Sequence, residues 1–129
     1  MGRAAFMGGS RRVCMAELWV VESGERYSHV AMIGRLDTEG IDSIETTFAA
    51  HTAARRLPAI VDMTSVTFLA SLGMGMLVRV AKSLKLHQAG MVLVGPSEPV
   101  ERALRAAKID EVIPIVRRRD EALGVLEVA

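Results

Sequence analysis

Hydrophobic and polar positions near the start of the chain follow the pattern of two β-strands. Residues 18 to 21 and 27 to 33 are rich in β-branched and aromatic side chains, and the polar segment ESGE lies between them. Short runs of this kind separated by a glycine-containing turn are typical of a β-hairpin. The sequence therefore begins its fold with two antiparallel strands.

The hydrophobic period then changes to that of a helix. Ile41, Ile44 and Phe48 recur three and four residues apart, which places them on one helix face. Asp37 or Thr38 can cap the start of this helix, because short polar side chains accept hydrogen bonds from free amides. A first helix is predicted after the hairpin.

Apolar strands and amphipathic helices alternate over the rest of the chain. The segment PAIVDM predicts a buried strand that ends at Asp62, followed by a connection, TSVTF. The further predicted elements are a helix from Ser71 to Gly90, a strand at 91–94, a helix from Ser97, a strand at 111–116 with Pro114 at a sheet edge, and a helix at 120–128.

This order, β-β-α-β-α-β-α-β-α, predicts a single α/β domain. Its sheet is mixed but mostly parallel, with four to five strands flanked by about four helices. The 129 residues show no internal repeat, linker or second domain. The segment before Met15 lacks a long apolar run, so we expect residues 1–14 to be a disordered arm and residues 15–129 to be the domain.

Composition excludes several classes of protein. The net charge is only +1, with one Trp, one Tyr and three Phe, which argues against direct binding of nucleic acid. The longest uncharged apolar stretch, residues 65–78, is shorter than the roughly 20 residues that span a membrane. A single cysteine permits no disulfide within the chain, which is consistent with the cytoplasm.

The motifs of metal and nucleotide sites are missing from the sequence. His29, His51 and His87 fall on different predicted elements, and Cys14 has no CxxC partner, so no metal site is predicted. The pair GMG at 73–75 would need a third glycine where Val78 stands to complete GxGxxG. We expect Gly73 and Gly75 to serve close packing instead, and we expect no cofactor.

Serine catalysis is also improbable. The sequence around Ser71 is LASLG, which lacks the first glycine of GxSxG. The only later histidine, His87, would lie more than about 20 Å away along the same helix. The residues therefore favour a protein that is not an enzyme.

Two carboxylates and one hydroxyl are predicted at the same edge of the sheet. Asp37 and Asp62 each end a strand, and Ser71 begins the next helix, so all three lie where α/β proteins place their sites. Simpler roles stay open, since Asp37 can cap a helix and Asp62 can anchor a turn at Thr64 and Ser65. We expect Ser71 to cap its helix by accepting from the amides of residues 73 and 74.

Four segments together resemble the STAS domain, the family of anti-sigma-factor antagonists. They are GRLD at 34–37, residues 60–77, residues 91–115 and DEAL at 120–123, and the likeness covers roughly residues 17 to 127. The resemblance rests on their joint order and spacing. It implies a STAS-like sheet flanked by helices and a bacterial protein without catalytic activity.

The resemblance also implies a partner and a switch. Family members bind an anti-sigma factor that is a serine kinase using MgATP, and phosphorylation at the start of the second helix ends the interaction. The family motif Asp-Ser-Ser-Gly falls on Ala70, Ser71, Leu72 and Gly73, so Ser71 matches the phosphorylated serine, while Ala70 and Leu72 depart from the motif. The family's aspartate in Gly-x-Leu-Asp falls on Asp37.

The leading hypothesis is thus a phosphorylation-controlled antagonist. Its expected partner-binding residues are Asp37, Asp62, Thr64, Ser65, Ser71, Gly73 and Met74. The alternative is a STAS scaffold that is never phosphorylated, as part of a signalling complex or a membrane transport system. The sequence leaves a homodimer open.

Overall fold

A five-stranded sheet with strands in the order β1-β2-β3-β4-β5 forms the centre of the protein. The computed structural model describes residues 16–127, so the predicted arm at 1–14 and the boundary at Met15 lie outside the described residues. The strands are β1 (Ala16–Ser23), β2 (Ser28–Leu36), β3 (Ala59–Leu69), β4 (Met91–Val94) and β5 (Ile115–Val116). The helices are α1 (Thr38–His51), α2 (Ser71–Lys85), α3 (Glu98–Ala106) and α4 (Arg119–Leu126).

The predicted order of elements and the mixed sheet are confirmed. The β1–β2 hairpin is antiparallel, and β2, β3, β4 and β5 pair in parallel. The strand predicted at 111–116 is confirmed only in its last two residues, since Ile109–Glu111 form a 3-10 turn and β5 begins after Pro114; β5 lies at the sheet edge as predicted. An edge position suits proline because only one side of the strand needs amide donors.

Strand β3 is longer than the sequence indicated. The prediction that it ends at Asp62 was wrong, because residues 64–69 continue the strand beside β2. β2 extends past the end of β4 and gives this second half of β3 its hydrogen-bonding partner. Val66 and Leu69 point into the core from it, so the predicted connection is a half-buried strand.

Helices α1, α2 and α3 cover one face of the sheet. Their buried side chains join alternate strand residues in one core, in which Phe48, Met32 and Leu77 are fully buried. In α2, Leu77 is fully buried in this core, whereas Met74 is only partly buried against it. The apolar faces of α1, α2 and α3 thus form the helix layer on this side of the sheet.

Helix α4 alone packs on the other face. Ala122 contacts a smaller cluster that contains Ile60 and Val92, the strand positions that alternate with the main core. Arg119 holds the start of α4 to the hairpin through an ion pair with Glu22 at 2.7 Å and a hydrogen bond to the Tyr27 hydroxyl.

Candidate functional site

Strands β2 and β3 end side by side, and a helix starts directly after each. Leu36 and Leu69 are the last paired residues of the two strands, and the Ala70 amide donates to the Leu36 carbonyl oxygen at 3.0 Å. α1 then begins at Thr38 and α2 at Ser71. This arrangement brings the starts of α1 and α2 to the same edge of the sheet.

Ser71 lies one position later in its helix than expected. The prediction that Ser71 caps α2 was wrong, because the capping residue is Ala70, which is extended and has no side-chain oxygen. The hydrogen bond between Ala70 and Leu36 holds this extended conformation, and the Ala70 carbonyl accepts the first helical bond from the Met74 amide at 3.1 Å. Ser71 is therefore the exposed first residue of the helix.

The first amides of α2 are open to an acceptor. The helical ladder starts with the Met74 amide, so the amides of Ser71, Leu72 and Gly73 have no carbonyl four residues earlier within the helix. Together with the helix dipole, they make this end favourable for negative charge. A phosphate on the Ser71 oxygen would lie at this end.

Gly73 is buried beneath the helix start. A Cβ atom at this position would lie 2.9 Å from Leu69 Cδ1 and 3.1 Å from the Leu36 carbonyl oxygen. The predicted packing role of Gly73 is confirmed. The same prediction was wrong for Gly75, where a Cβ atom would meet only Arg79 Nη1 at 3.4 Å.

Asp37 caps helix α1. Its carboxylate accepts from the Gly40 amide at 3.0 Å and pairs with Arg35 Nε at 3.1 Å. The Gly40 hydrogen bond, helped by Arg35, lowers the pKa of Asp37 below its ordinary value. The structural role foreseen for Asp37 is confirmed, and the carboxylate still lies at the same edge as Ser71.

Two exposed apolar side chains on either side of Ser71 were missed by the sequence reasoning. Phe68 is 41% exposed and Leu72 is 46% exposed, and the Arg35 guanidinium carbon lies 4.5 Å from the centroid of the Phe68 ring. Phe68 precedes the buried Leu69 in a strand and therefore points to the other face. This alternation of side chains could have predicted that Phe68 is exposed, but only if residues 64–69 had already been recognised as a strand.

Asp62, Thr64 and Ser65 form a separate group along β3. Asp62 Oδ1 accepts from the Thr64 amide at 2.9 Å and from Thr64 Oγ1 at 2.7 Å, which confirms the anchoring role at Thr64. Two residues of β3 oppose one of β2 at this point, so the carboxylate stabilises a β-bulge. Asp62 also pairs with Val94, the last residue of β4.

This second group is distant from Ser71 along the strand. The residues between Asp62 and Leu69 span roughly 20 Å of extended chain. Thr64 instead lies beside the loop after β4, since a Cβ atom on Gly95 would be 2.6 Å from Thr64 Cγ2. Of the expected partner-binding residues, Asp37, Ser71, Gly73 and Met74 thus share one region, whereas Asp62, Thr64 and Ser65 extend along β3.

No metal-binding or membrane-spanning feature occurs within residues 16–127. Over this range no three His, Cys, Asp or Glu side chains are grouped as metal ligands would be. Nor does any helix in the same range combine the length and apolar character needed to cross a bilayer.

The chain matches the family model described as the STAS domain over residues 19–122. The fold is similar to an anti-sigma factor antagonist from Mycobacterium paratuberculosis, with a TM-score of 0.76, 23% identity and coverage of 87% of this chain and 94% of that one. A STAS domain protein from Planctomyces limnophilus gives a TM-score of 0.72 and 24% identity, over 82% of this chain and 95% of that one. Comparison with curated protein sequences gives no match.

The fold is also similar to SpoIIAA, an anti-sigma factor antagonist of Bacillus, in two forms. The unphosphorylated form gives a TM-score of 0.71 at 13% identity, over 87% of this chain and 98% of that one. The phosphorylated form gives a TM-score of 0.63 at 13% identity, over 84% of this chain and 98% of that one.

Proposed function

Because the chain belongs to the STAS domain family, we propose that it is an anti-sigma-factor antagonist whose binding to a partner is switched off by phosphorylation of Ser71. The proposed partner is an anti-sigma factor with serine-kinase activity in the bacterial cytoplasm. The observation that carries the proposal is the exposed Ser71 at the first position of α2, with the exposed side chains of Phe68 and Leu72 close to it in the chain. SpoIIAA, solved in unphosphorylated and phosphorylated forms, supports it by analogy.

In the unphosphorylated state, the proposed binding surface is largely apolar. Phe68 and Leu72 bury their exposed area against the partner, and the exposed Ser71 lies within the same contact. Burial of apolar surface supplies most of the driving force in such contacts. Arg35 and Asp37, which pair with each other, lie at the rim.

Phosphorylation changes the charge of this surface without breaking the fold. The Ser71 oxygen attacks the γ-phosphorus of MgATP bound to the kinase, the bond to the bridging oxygen of ADP breaks, and the serine proton passes to a base on the kinase. The product carries about −1.5 to −2 charges, which the open amides of α2 tolerate. Burying that charge between apolar side chains is unfavourable, so the partner dissociates.

The test is to incubate the full chain with MgATP and a serine-kinase anti-sigma factor from the same organism, and to locate the added phosphate by mass spectrometry. We expect one phosphate at Ser71 and none in Ser71→Ala. Ser71→Asp should weaken kinase binding, whereas Ser97→Asp, which adds the same charge at the start of α3, should not. A phosphate at another serine, or equal binding by the two aspartate variants, would contradict the proposal.

A constitutive STAS scaffold, in a signalling complex or with a membrane transporter, is the second candidate. Ala70 favours it, because the family's acidic residue next to the serine is missing and a kinase would meet a different local charge. Recovery of a transporter ATPase with the tagged chain, together with no phosphate on Ser71, would select this candidate. Recovery of a serine kinase would select the first.

A further inference from the structure

A shallow groove runs between α1 and α2 at the end of these helices that lies away from Ser71. It has a volume of about 530 Å³, and alanines at positions 49, 50, 53 and 54 form much of its lining. Ser83 and His87 line the side that belongs to α2 and the turn after it. Ser83 lies about 18 Å along the helix from Ser71, so the groove is separate from the proposed phosphorylation site.

The groove and a second depression beside it carry uncompensated positive charge. Arg56 lines the groove itself, whereas Lys82 and Lys85, in the last turns of α2, line a depression of about 650 Å³ that shares only Ser83 with the groove. None of these three cations forms an ion pair with any residue between 16 and 127, whereas Arg79, which also lines the second depression, pairs with Glu45 at 2.9 Å. No acidic residue occurs between Glu45 and Asp62 or between Asp62 and Glu98.

Lysines in the last turn of a helix have an ordinary role, since they offset the negative end of the helix dipole. That role does not account for Arg56, which lies after α1 in the left-handed conformation. It also does not account for Leu86, which is 83% exposed, the largest exposed fraction among the big apolar side chains that the structure describes. Leu86 lines the same depression as Lys82 and Lys85, so a partner that covered the two lysines would bury this side chain as well.

We propose that this groove binds an acidic amphipathic helix of a partner protein. The alanine lining lets a third helix approach α1 and α2 closely. Leu86 in the neighbouring depression supplies an apolar contact, and Arg56 in the groove with Lys82 and Lys85 beside it attract carboxylates on the polar face of the incoming helix. Helix-in-groove recognition uses this pairing of an apolar stripe with a charged border. A membrane surface fits less well because Leu86 is a single apolar anchor beside a concave surface. Nucleic acid fits less well because no aromatic side chain lines the groove.

The probe for the first test is a labelled synthetic peptide of about 18 residues, long enough to form a helix, with leucines at helical spacing and glutamates elsewhere. We expect saturable binding to the full chain that weakens as salt is added. A scrambled peptide of the same composition and an otherwise identical peptide with lysine in place of glutamate should not bind. Equal binding of the scrambled peptide, or tighter binding of anionic lipid vesicles or of an oligonucleotide, would overturn the proposal.

Paired variants locate the site on the chain. Lys82→Glu with Lys85→Glu should weaken peptide binding at least about tenfold, because it reverses two charges in the depression beside the groove. Arg102→Glu with Lys108→Glu makes the same change in net charge on α3 and the turn after it and should leave the affinity within about twofold. Ala50→Trp, which fills the groove without altering charge, should also abolish binding. The Ser71→Asp chain should bind the peptide as the wild type does. A result that contradicts the groove proposal can therefore be distinguished from one that contradicts the phosphorylation switch.

Discussion

Gly73 lies so close to Leu36 that a Cβ atom on residue 73 would be 3.1 Å from the Leu36 carbonyl oxygen. That carbonyl also accepts the Ala70 amide, so the end of β2 and the start of α2 are held together at two adjacent points. The position of Ser71 at the sheet edge follows from this contact. The glycine therefore supports the candidate site without forming part of its exposed surface.

Gly73→Ala should lower the free energy of unfolding by about 1 to 3 kcal/mol, because the added methyl group forces α2 away from the strand ends. The matched control is Gly75→Ala in the same helix, where the methyl group meets only the end of Arg79. That change should be neutral or stabilising by up to about 1 kcal/mol, since alanine favours helix over glycine. Urea unfolding followed by circular dichroism measures both, and equal effects would show that the contact with Leu36 is unimportant.

Phe68→Ser tests the apolar surface beside Ser71. The ring is 41% exposed, so its loss should cost little stability while reducing the affinity for the kinase at least about tenfold, as expected for an aromatic anchor. Val112→Ser removes an apolar side chain that is 54% exposed elsewhere and should leave the affinity unchanged. Isothermal titration calorimetry with the kinase gives both values. Unchanged affinity for Phe68→Ser would remove Phe68 from the binding surface.

Much of the fold could be predicted from the sequence because the hydrophobic period switches clearly between strands and helices. Asp62 was misread because an aspartate after an apolar run is typical of a strand end, whereas its carboxylate here binds Thr64 at a bulge and the strand continues. The start of α2 at Ser71 was predicted, but its capping residue was not, because a long-range hydrogen bond from the Ala70 amide to the Leu36 carbonyl oxygen makes Ala70 the extended residue. Such contacts between distant residues leave no local pattern in the sequence.

Ala70→Asp should raise the free energy of unfolding by about 1 kcal/mol. Ala70 occupies the capping position of α2 with no side-chain hydrogen bond, and aspartate there can accept from the open amides of the first turn. Ala70→Asn supplies the same cap without the charge and should stabilise similarly. Faster phosphorylation of Ser71 in Ala70→Asp but not in Ala70→Asn would show that the kinase reads the carboxylate, and a loss of stability in both variants would contradict the assignment of Ala70 as the cap.

His29 makes the stability of the fold depend on pH. The side chain is buried in β2, and neither ring nitrogen has a hydrogen-bond partner within residues 16–127. Burial and the nearby charge of Arg119 lower the pKa of His29 from 6.5, against the weaker attraction of Asp62 and Glu22. The unfolded chain therefore binds the proton more tightly than the folded chain does, so stability is complete above about pH 6.5 and falls as the solution is acidified below it.

His29→Leu should remove this dependence, because leucine fills the buried position and cannot be protonated. Urea unfolding is measured between about pH 5 and pH 8, which lies above the ordinary range of carboxyl titration, so the slope there tests the contribution of His29. His87→Gln, a change at an exposed histidine, should keep the wild-type slope. A His29→Leu chain that loses stability below pH 6.5 as steeply as the wild type would show that the sensitivity arises elsewhere. If the stability of His29→Leu does not change over this pH range, the pH dependence arises from His29, whose pKa is lowered by the nearby charge of Arg119.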